Sequence, residues 1–370
     1  MDVSSVDAGL FDCLQINLAV LASHYHGAAT PYRLGAELHF NPRSRQNSLP
    51  TVEPSLGQQL EAADERLGLA SIQRVDTASA HEALGSDVPV YLITDAAYLP
   101  WLPYYRQKHV EHSFLLEPAG DGVWIIDGYR NETIWGPAEP CRFKRDRSAV
   151  VDLIRTLPDL SAIWFEPRPL PAPPPLSFEM SRQSLRSYLS TYAEHPDRET
   201  ALDRFSLEIW LLHRSRRLHT RYRCEFRGDV SPAVRTHLQE WSKMVARVYL
   251  AYRRVAQGRP EPPGLFTAVG NLLGEDGSVF VPESPVSDGT DVHAGVRATV
   301  ATVLGLPEQL VEQGELTNLP AFSSLRMIEI VERLERVFAV EFPPGSLLPE
   351  KLVRVDDLCE LVRDARRQAV

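Results

Sequence analysis

The sequence is short of several things, and each shortage excludes a class of protein. No apolar run among its 370 residues approaches the ~18–20 needed to span a membrane as a helix. The opening MDVSSVDAGLFD has no basic stretch ahead of an apolar one, so it does not fit a signal peptide. There are only four cysteines, Cys13, Cys141, Cys224 and Cys359, and none forms a C-x-x-C pair. That excludes a zinc framework or disulfide scaffold and fits a reducing cytoplasm. Positive charge is in deficit, with 39 Lys and Arg against 49 Asp and Glu and a net charge of −10. General nucleic-acid binding is disfavoured on that balance. No Gly-rich phosphate loop is present, so ATP-driven acyl activation must come from another protein. His24, His26, His109 and His112 lack carboxylates at ligand spacing, so no metal is expected. Internal repeats are also missing.

What the chain has in excess is proline, 29 residues. The run 167–176 contains PRPLPAPPP and reads as a stiff polyproline II spacer. A second break, at 281–290, is rich in Pro, Ser and Gly. These cuts predict three blocks, 1–166, 177–280 and 291–370. At about 100–200 residues per domain, two or three domains are expected from length alone.

The first block mixes periodicities. DCLQINLAVLASHYHG places Leu14, Leu18 and Leu21 at helical spacing and ends on Gly27. VPVYLIT (88–94), HSFLLEP (112–118) and GVWIIDG (122–128) read as strands, the last two joined as a hairpin. The middle block is helical, with Phe205, Ile209 and Leu212 in phase, then Trp241, Met244, Val245, Val248 and Tyr252. It is basic, with 16 Lys and Arg against 10 Asp and Glu over 177–270. Its stretch 217–228 interleaves basic and aromatic residues. That pattern fits a solvated helix face, a docking surface for an acidic partner or, least well, nucleic acid. The last block carries helical patterns at 292–306, 324–338 and 355–368 and is acidic, 13 against 9 over 290–370.

Cys13 immediately precedes an apolar helix. A thiol at a helix start feels the positive end of the dipole, which lowers its pKa. A nucleophilic cysteine needs a base, and the base an orienting group. His112 begins one strand of the hairpin and Asp127 ends the other, so the two can face each other across an antiparallel pair. Taken alone, a cysteine such as Cys13 on an apolar helix is more often a small buried hydrophobe than a nucleophile. The pieces Asp12-Cys13, Ala19, Leu21, Tyr25, Gly27, then Tyr104-Tyr105, His109, His112-Ser113-Phe114, then Asp127-Gly128-Tyr129 carry a resemblance over about 5–135. The block resembles papain-like C39 cysteine peptidases and, more closely, the family of the butirosin biosynthesis protein H N-terminal domain. The resemblance implies a papain-like α/β domain in which Cys13 attacks an acyl carbonyl, His112 shuttles the proton and Asp127 orients His112. C39 sites usually have a Gln about six residues before the cysteine, for the oxyanion. Here Asp7 lies near that place and Gln15 is inside the helix.

In the last block, Ser323-Ser324-Leu325 opens an amphipathic helix whose Leu325, Ile328, Val331, Leu334 and Val337 are expected on an inner face, with Arg326, Glu329, Glu332 and Arg333 toward water. A serine just inside a helix start exposes its hydroxyl, and a phosphodiester there would meet free N–H groups. A plain helical bundle with capping serines is the bland reading. The pattern x-S-L-x-x-I-E, followed by EFPPGSLLPE and a closing helix, resembles acyl and peptidyl carrier proteins over about 291–370. That resemblance implies a four-helix bundle carrying covalent 4′-phosphopantetheine on Ser324. Ser323 stands where the family usually has Asp.

The expected architecture is therefore a papain-like α/β domain, then an α-helical domain, then a four-helix acyl-carrier bundle. The expected function is a cysteine-dependent acyltransferase of natural-product assembly, passing an acyl or aminoacyl group through Cys13, His112 and Asp127 to an amine. Its expected partners are a phosphopantetheinyl transferase, an acyl- or aminoacyl-activating enzyme with other assembly-line proteins, and a small-molecule acceptor, with no nucleic acid and no membrane. Two alternatives stand beside it. One is a thioesterase or peptidase with the same triad. The other is an inactive scaffold that only docks a carrier and partner enzymes.

Overall fold

The computed structural model describes residues 1–45, 48–76, 87–227, 231–280, 292–311, 315–319, 322–338, 340–343, 347 and 352–368. It divides into two compact units, Met1–Phe280 and Val281–Val370. The expected tether at 281–290 lies outside the described residues.

The first unit opens with helix α1 (Gln15–His26), whose last turn is closed by the Gly27 N–H on Ser23 O. Strands β1 (Glu37–Phe40), β2 (Arg43–Arg45) and β3 (Ser48–Thr51) follow, then α2 (Leu56–Leu67), started by a Ser55/Gln58 capping box. Next come β4 (Leu69–Val75), β5 (Val90–Asp95), β6 (Glu111–Ala119), β7 (Gly122–Asp127), β8 (Asn131–Thr133), β9 (Gly136–Ala138) and β10 (Cys141–Asp146). Helix α3 (Arg147–Thr156), β11 (Ser161–Pro167) and β12 (Ser177–Met180) complete the mixed part. Six strands form one antiparallel sheet in the order β10-β7-β6-β5-β11-β4. The β6–β7 hairpin pairs Ala119 with Gly122 and Leu115 with Ile126.

The unit continues through α4 (Arg182–Glu194), α5 (Arg198–Arg227), α6 (Pro232–Val255) and α7 (Leu265–Phe280). Phe205, Ile209, Leu212, Trp241, Met244 and Val248 are buried, as their spacing requires. These helices are not a separate layer. Strand β12 pairs in parallel with β1, and Leu218 of α5 joins the core of the sheet part. The proline-rich run also lies against the unit. Pro171 O and Ala172 O accept from Arg33 at 2.7 and 2.9 Å, Pro174 O accepts from Arg227 at 2.9 Å and from the Tyr222 hydroxyl, and the Arg168 N–H reaches Gly68 O at 2.8 Å. Proline lacks a donor but keeps a good acceptor, so a strapped-down run is as consistent with the composition as a free spacer.

The basic stretch of α5 turns partly inward, so it is not simply a solvated face. His219 and Tyr222 are buried, and so is Arg216 just before the stretch. Arg216 lies over the Trp241 ring and donates to Asp276 of α7, whose other oxygen takes His237 Nε2 at 2.8 Å. Burial alone would raise Asp276, but the Arg216 charge and the His237 hydrogen bond hold it below the usual carboxylate range.

The second unit contains α8 (Val292–Leu304), α9 (Glu308–Val311), α10 (Ser324–Phe338) and α11 (Val355–Gln368). Val296, Val300, Ile330, Leu334, Leu358 and Val362 form its core. This corrects the expected fold. Among the described residues there are three full helices, the short α9 and a 3-10 turn at Leu316–Asn318, not a four-helix carrier bundle. Gly305 takes the left-handed conformation (φ 68°) just past the end of α8, and Pro307 immediately precedes α9, so the two helices are separate. The chain is a mixed α and β protein of two compact units, and the carrier bundle is the part of the expected architecture that its described residues do not form.

The Arg216–Asp276 pair generates a stability prediction. Arg216→Met alone leaves Asp276 buried against one fewer cation and is expected to cost about 3–5 kcal/mol in urea unfolding. Arg216→Met with Asp276→Leu is expected to recover most of that loss.

Candidate active site

Two side chains singled out in the sequence meet at the end of β6 and β7, and the third residue, Cys13, lies against the backbone on either side of one of them. The hairpin register, continued beyond the Leu115–Ile126 pair, sets Asp127 opposite Phe114 and His112 opposite Tyr129. His112 and Asp127 are therefore diagonal rather than directly opposite, on one face of the sheet. His112 Nε2 lies 2.8 Å from Asp127 Oδ2, and both residues are buried. Cys13 brackets His112 through the backbone. Its thiol donates to Glu111 O at 3.2 Å, and its carbonyl accepts from Ser113 Oγ at 2.7 Å.

Asp127 has a full set of donors. Oδ2 also accepts from Trp101 Nε1 at 2.9 Å, and Oδ1 from the Tyr129 N–H at 3.0 Å and Asn17 Nδ2 at 3.5 Å. Burial alone would raise this carboxyl. The His112 ring, the Trp101 indole and the Tyr129 amide hold it below the usual range. An ionised Asp127 fixes the His112 tautomer, because Nε2 must carry the hydrogen it shares. His112 Nδ1 is buried and has no hydrogen-bond partner among the described residues. It is the ring nitrogen left to accept a proton.

The electrostatics of Cys13 differ from the expectation. Asp12 Oδ1 accepts from the Leu14 and Gln15 amides at 2.8 and 2.7 Å and so caps α1 itself. The positive end of the helix faces a carboxylate before it faces the thiol. Burial pushes Cys13 well above the ordinary thiol value, and Asp12, Glu53, Glu111 and Asp127 add to the rise. Asp12 is itself pushed up to about 6, by burial against the lowering effect of those two amides. Cys13 is thus a neutral thiol that needs a base. Gln15 Oε1 accepts from the Asp12 N–H at 3.4 Å, and Asp7 caps a short turn through the Gly9 N–H at 2.9 Å. Neither is placed as a donor to an oxyanion by these contacts.

Residues the sequence reading passed over complete the site. Asn17, one helical turn after Cys13, donates to Ser113 O at 2.8 Å and accepts from the Gly128 N–H at 2.9 Å. Its i+4 spacing from Cys13 was the available signal. Gly128 is required there, since a Cβ would come within 2.9 Å of Ile16 Cγ1 and 3.0 Å of Val20 Cγ2. Trp101 packs edge-on against Phe114 and Phe143 and has no sequence signature. His109 is exposed and bonds Asp95, away from the triad. Cys141 is half-buried, with its thiol raised to about 12 by burial and Asp127, while Cys359 is buried and Cys224 exposed. Among the described residues no cluster of three or more His, Cys, Asp or Glu suits a metal ion.

Ser324 lies in the other unit, as the first residue of α10. Its hydroxyl is exposed and makes no hydrogen bond among the described residues, while Ser323 Oγ caps the helix through the Arg326 N–H at 3.2 Å. Leu325 and Ile328 beside it are 75% and 56% exposed.

The raised thiol has a direct consequence. Iodoacetamide should modify Cys13 slowly at pH 7, behind the exposed Cys224. The Cys13 rate should climb about tenfold per pH unit through pH 9 as thiolate forms. Peptide mass spectrometry separates the two, and a Cys13 rate already level at pH 7 would contradict the electrostatics described.

In comparisons with known proteins, no family model matches the chain and no curated protein matches it.

Proposed function

We propose that this chain is a cysteine-dependent acyltransferase that takes an acyl or aminoacyl group from a thioester and passes it to an amine. The observation that carries this reading is the state of His112, locked at Nε2 by ionised Asp127 and unpartnered at Nδ1, with Cys13 bound on both sides of it. As sulfur attacks the acyl carbonyl, the thiol proton passes to Nδ1, and Asp127 stabilises the resulting imidazolium. The imidazolium then returns the proton to the departing thiolate of the donor, leaving the acyl group on Cys13. An amine attacks that carbonyl, His112 takes its proton, and the Cys13 thiolate leaves and is reprotonated. A base is needed at the first step because the thiol is held neutral.

Ser324 is the proposed attachment point for 4′-phosphopantetheine, which would supply a thiol on a long arm as the handle for the acyl group. Its supports are the exposed, unengaged hydroxyl and the helix start. The proposed partners follow from this chemistry: a phosphopantetheinyl transferase, an acyl-activating enzyme of a biosynthetic assembly line, and a small amine acceptor. Among the described residues no helix is long and apolar enough to cross a membrane. A cytoplasmic setting, with four free thiols, belongs to the same proposal.

A second reading is favoured by one observation. The Leu14 and Gln15 amides are taken by Asp12 and are not free to bind an oxyanion. On that reading the site binds but does not turn over.

Intact mass spectrometry after incubation with a broad phosphopantetheinyl transferase and coenzyme A tests the attachment. The expected gain is one phosphopantetheine, lost in Ser324→Ala. With an acyl thioester and an amine supplied, Cys13→Ala should reduce amide formation to background and His112→Gln should lower it by about 10²–10⁴-fold. Acyl release without amine would reassign the chain as a hydrolase. Unchanged product from Cys13→Ala would leave only the scaffold reading.

A further inference from the structure

Helix α5 sends one side chain into the shell of the candidate site. Arg214 is 8% exposed. Its Nη1 donates to Ala8 O at 3.0 Å and to Phe11 O, and its Nη2 donates to Arg130 O at 2.8 Å. Phe11 stands two residues before Cys13, and Arg130 three after Asp127. One guanidinium therefore bridges the loop that presents the nucleophile and the strand end that presents the orienting carboxylate. These carbonyls would otherwise be buried acceptors in search of a donor.

The geometry is preorganised from the helix side. The guanidinium lies 3.9 Å from the Trp210 ring centroid, one turn earlier on α5. One turn of α5 is in turn fixed by Arg216, two residues on, through its pair with Asp276. Arg217 adds a bond to Gly9 O at 3.0 Å. A planar, forked donor set suits three carbonyls from two segments, and a lysine ammonium does not reproduce it. Arg214 is also close enough to Asp12 and Cys13 to act on them through its charge.

We infer that Arg214 is a positioning residue of the Cys13 site, holding the Cys13 loop in register with the His112–Asp127 strand ends. Helix α5 is then a working part of the site and not merely a neighbour of it. This rests on the acyl-transfer reading for what the site does, but its test reads thiol reactivity and needs no substrate.

The test is the rate of Cys13 alkylation by iodoacetamide in the full chain between pH 7 and 9, with peptide mass spectrometry to separate the four cysteines. Arg214→Met should lower the Cys13 rate about tenfold at each pH while the Cys224 rate stays the same. Arg214→Lys keeps the buried cation and guards against a variant that fails to fold. It should recover less than half of the loss. A Cys13 rate within twofold of wild type in Arg214→Met would overturn the inference, and so would full recovery in Arg214→Lys, which would make charge alone sufficient. Should Arg214→Met not fold, Arg214→Lys decides alone, since a wild-type rate there counts against positioning and a several-fold loss supports it. His112→Gln in the same assay separates the two ideas. A rate that responds to His112 and not to Arg214 keeps the acyl-transfer reading and discards this one, while no response to His112 removes the reading itself.

Discussion

The first unit is organised around one buried anion. Taking a carboxylate out of water costs several kcal/mol unless donors replace the lost hydration. Asp127 is supplied from four directions: the His112 ring, the Trp101 indole, the Tyr129 amide and Asn17. Each donor belongs to a different piece of chain. Satisfying the charge therefore fixes the start of β6, the loop after β5, the turn beyond β7 and helix α1 relative to one another. The His112 tautomer is a by-product of the same requirement. An unpaired Nδ1 in a buried ring is a cost the fold carries at that point, and such exceptions gather at functional sites.

The nucleophile end obeys a different constraint. A helix start would favour a thiolate, but a second carboxylate occupies it. Asp12 takes the two free amides, and its own ionisation is made harder by burial, with a pKa of about 6. Four carboxylates bear on Cys13. The thiol is held up by burial and by these charges, and on the proposed chemistry its proton would have to leave during attack. The helical segment bears on the same point from outside, since α5 reaches the backbone before Cys13 and after Asp127.

Much of the secondary structure was legible. Leu14, Leu18 and Leu21 marked α1, and its end at Gly27 lies within a residue of the last helical position. The hairpin of β6 and β7 follows from two apolar alternations around a Gly-Asp turn. In the last block, α8, α10 and α11 match the periodic stretches almost residue for residue, because an amphipathic stripe is a local signal. The domain-level picture was less legible. PRPLPAPPP looks the same in sequence whether its carbonyls face water or Arg33 and Arg227, and RLHTRYRCEFRG gives no sign that His219 and Tyr222 point inward. The expected four-helix bundle of the second unit is not what the described residues form, since a helix count for a block depends on how its segments pack and not on periodic stripes alone.

By itself the sequence determined the strongly periodic helices and the β6–β7 hairpin, and the order of the candidate residues Cys13, His112 and Asp127, since periodicity and residue type are local properties. Only the tertiary structure decided that His112 and Asp127 meet on a diagonal, that Cys13 is neutral, and that Asn17, Trp101 and Arg214 belong around the site. Those outcomes depend on register, burial and the sum of charges from distant segments. Register follows from how a whole sheet packs, and a pKa follows from everything within a few ångströms, so neither is written in any one stretch of the chain.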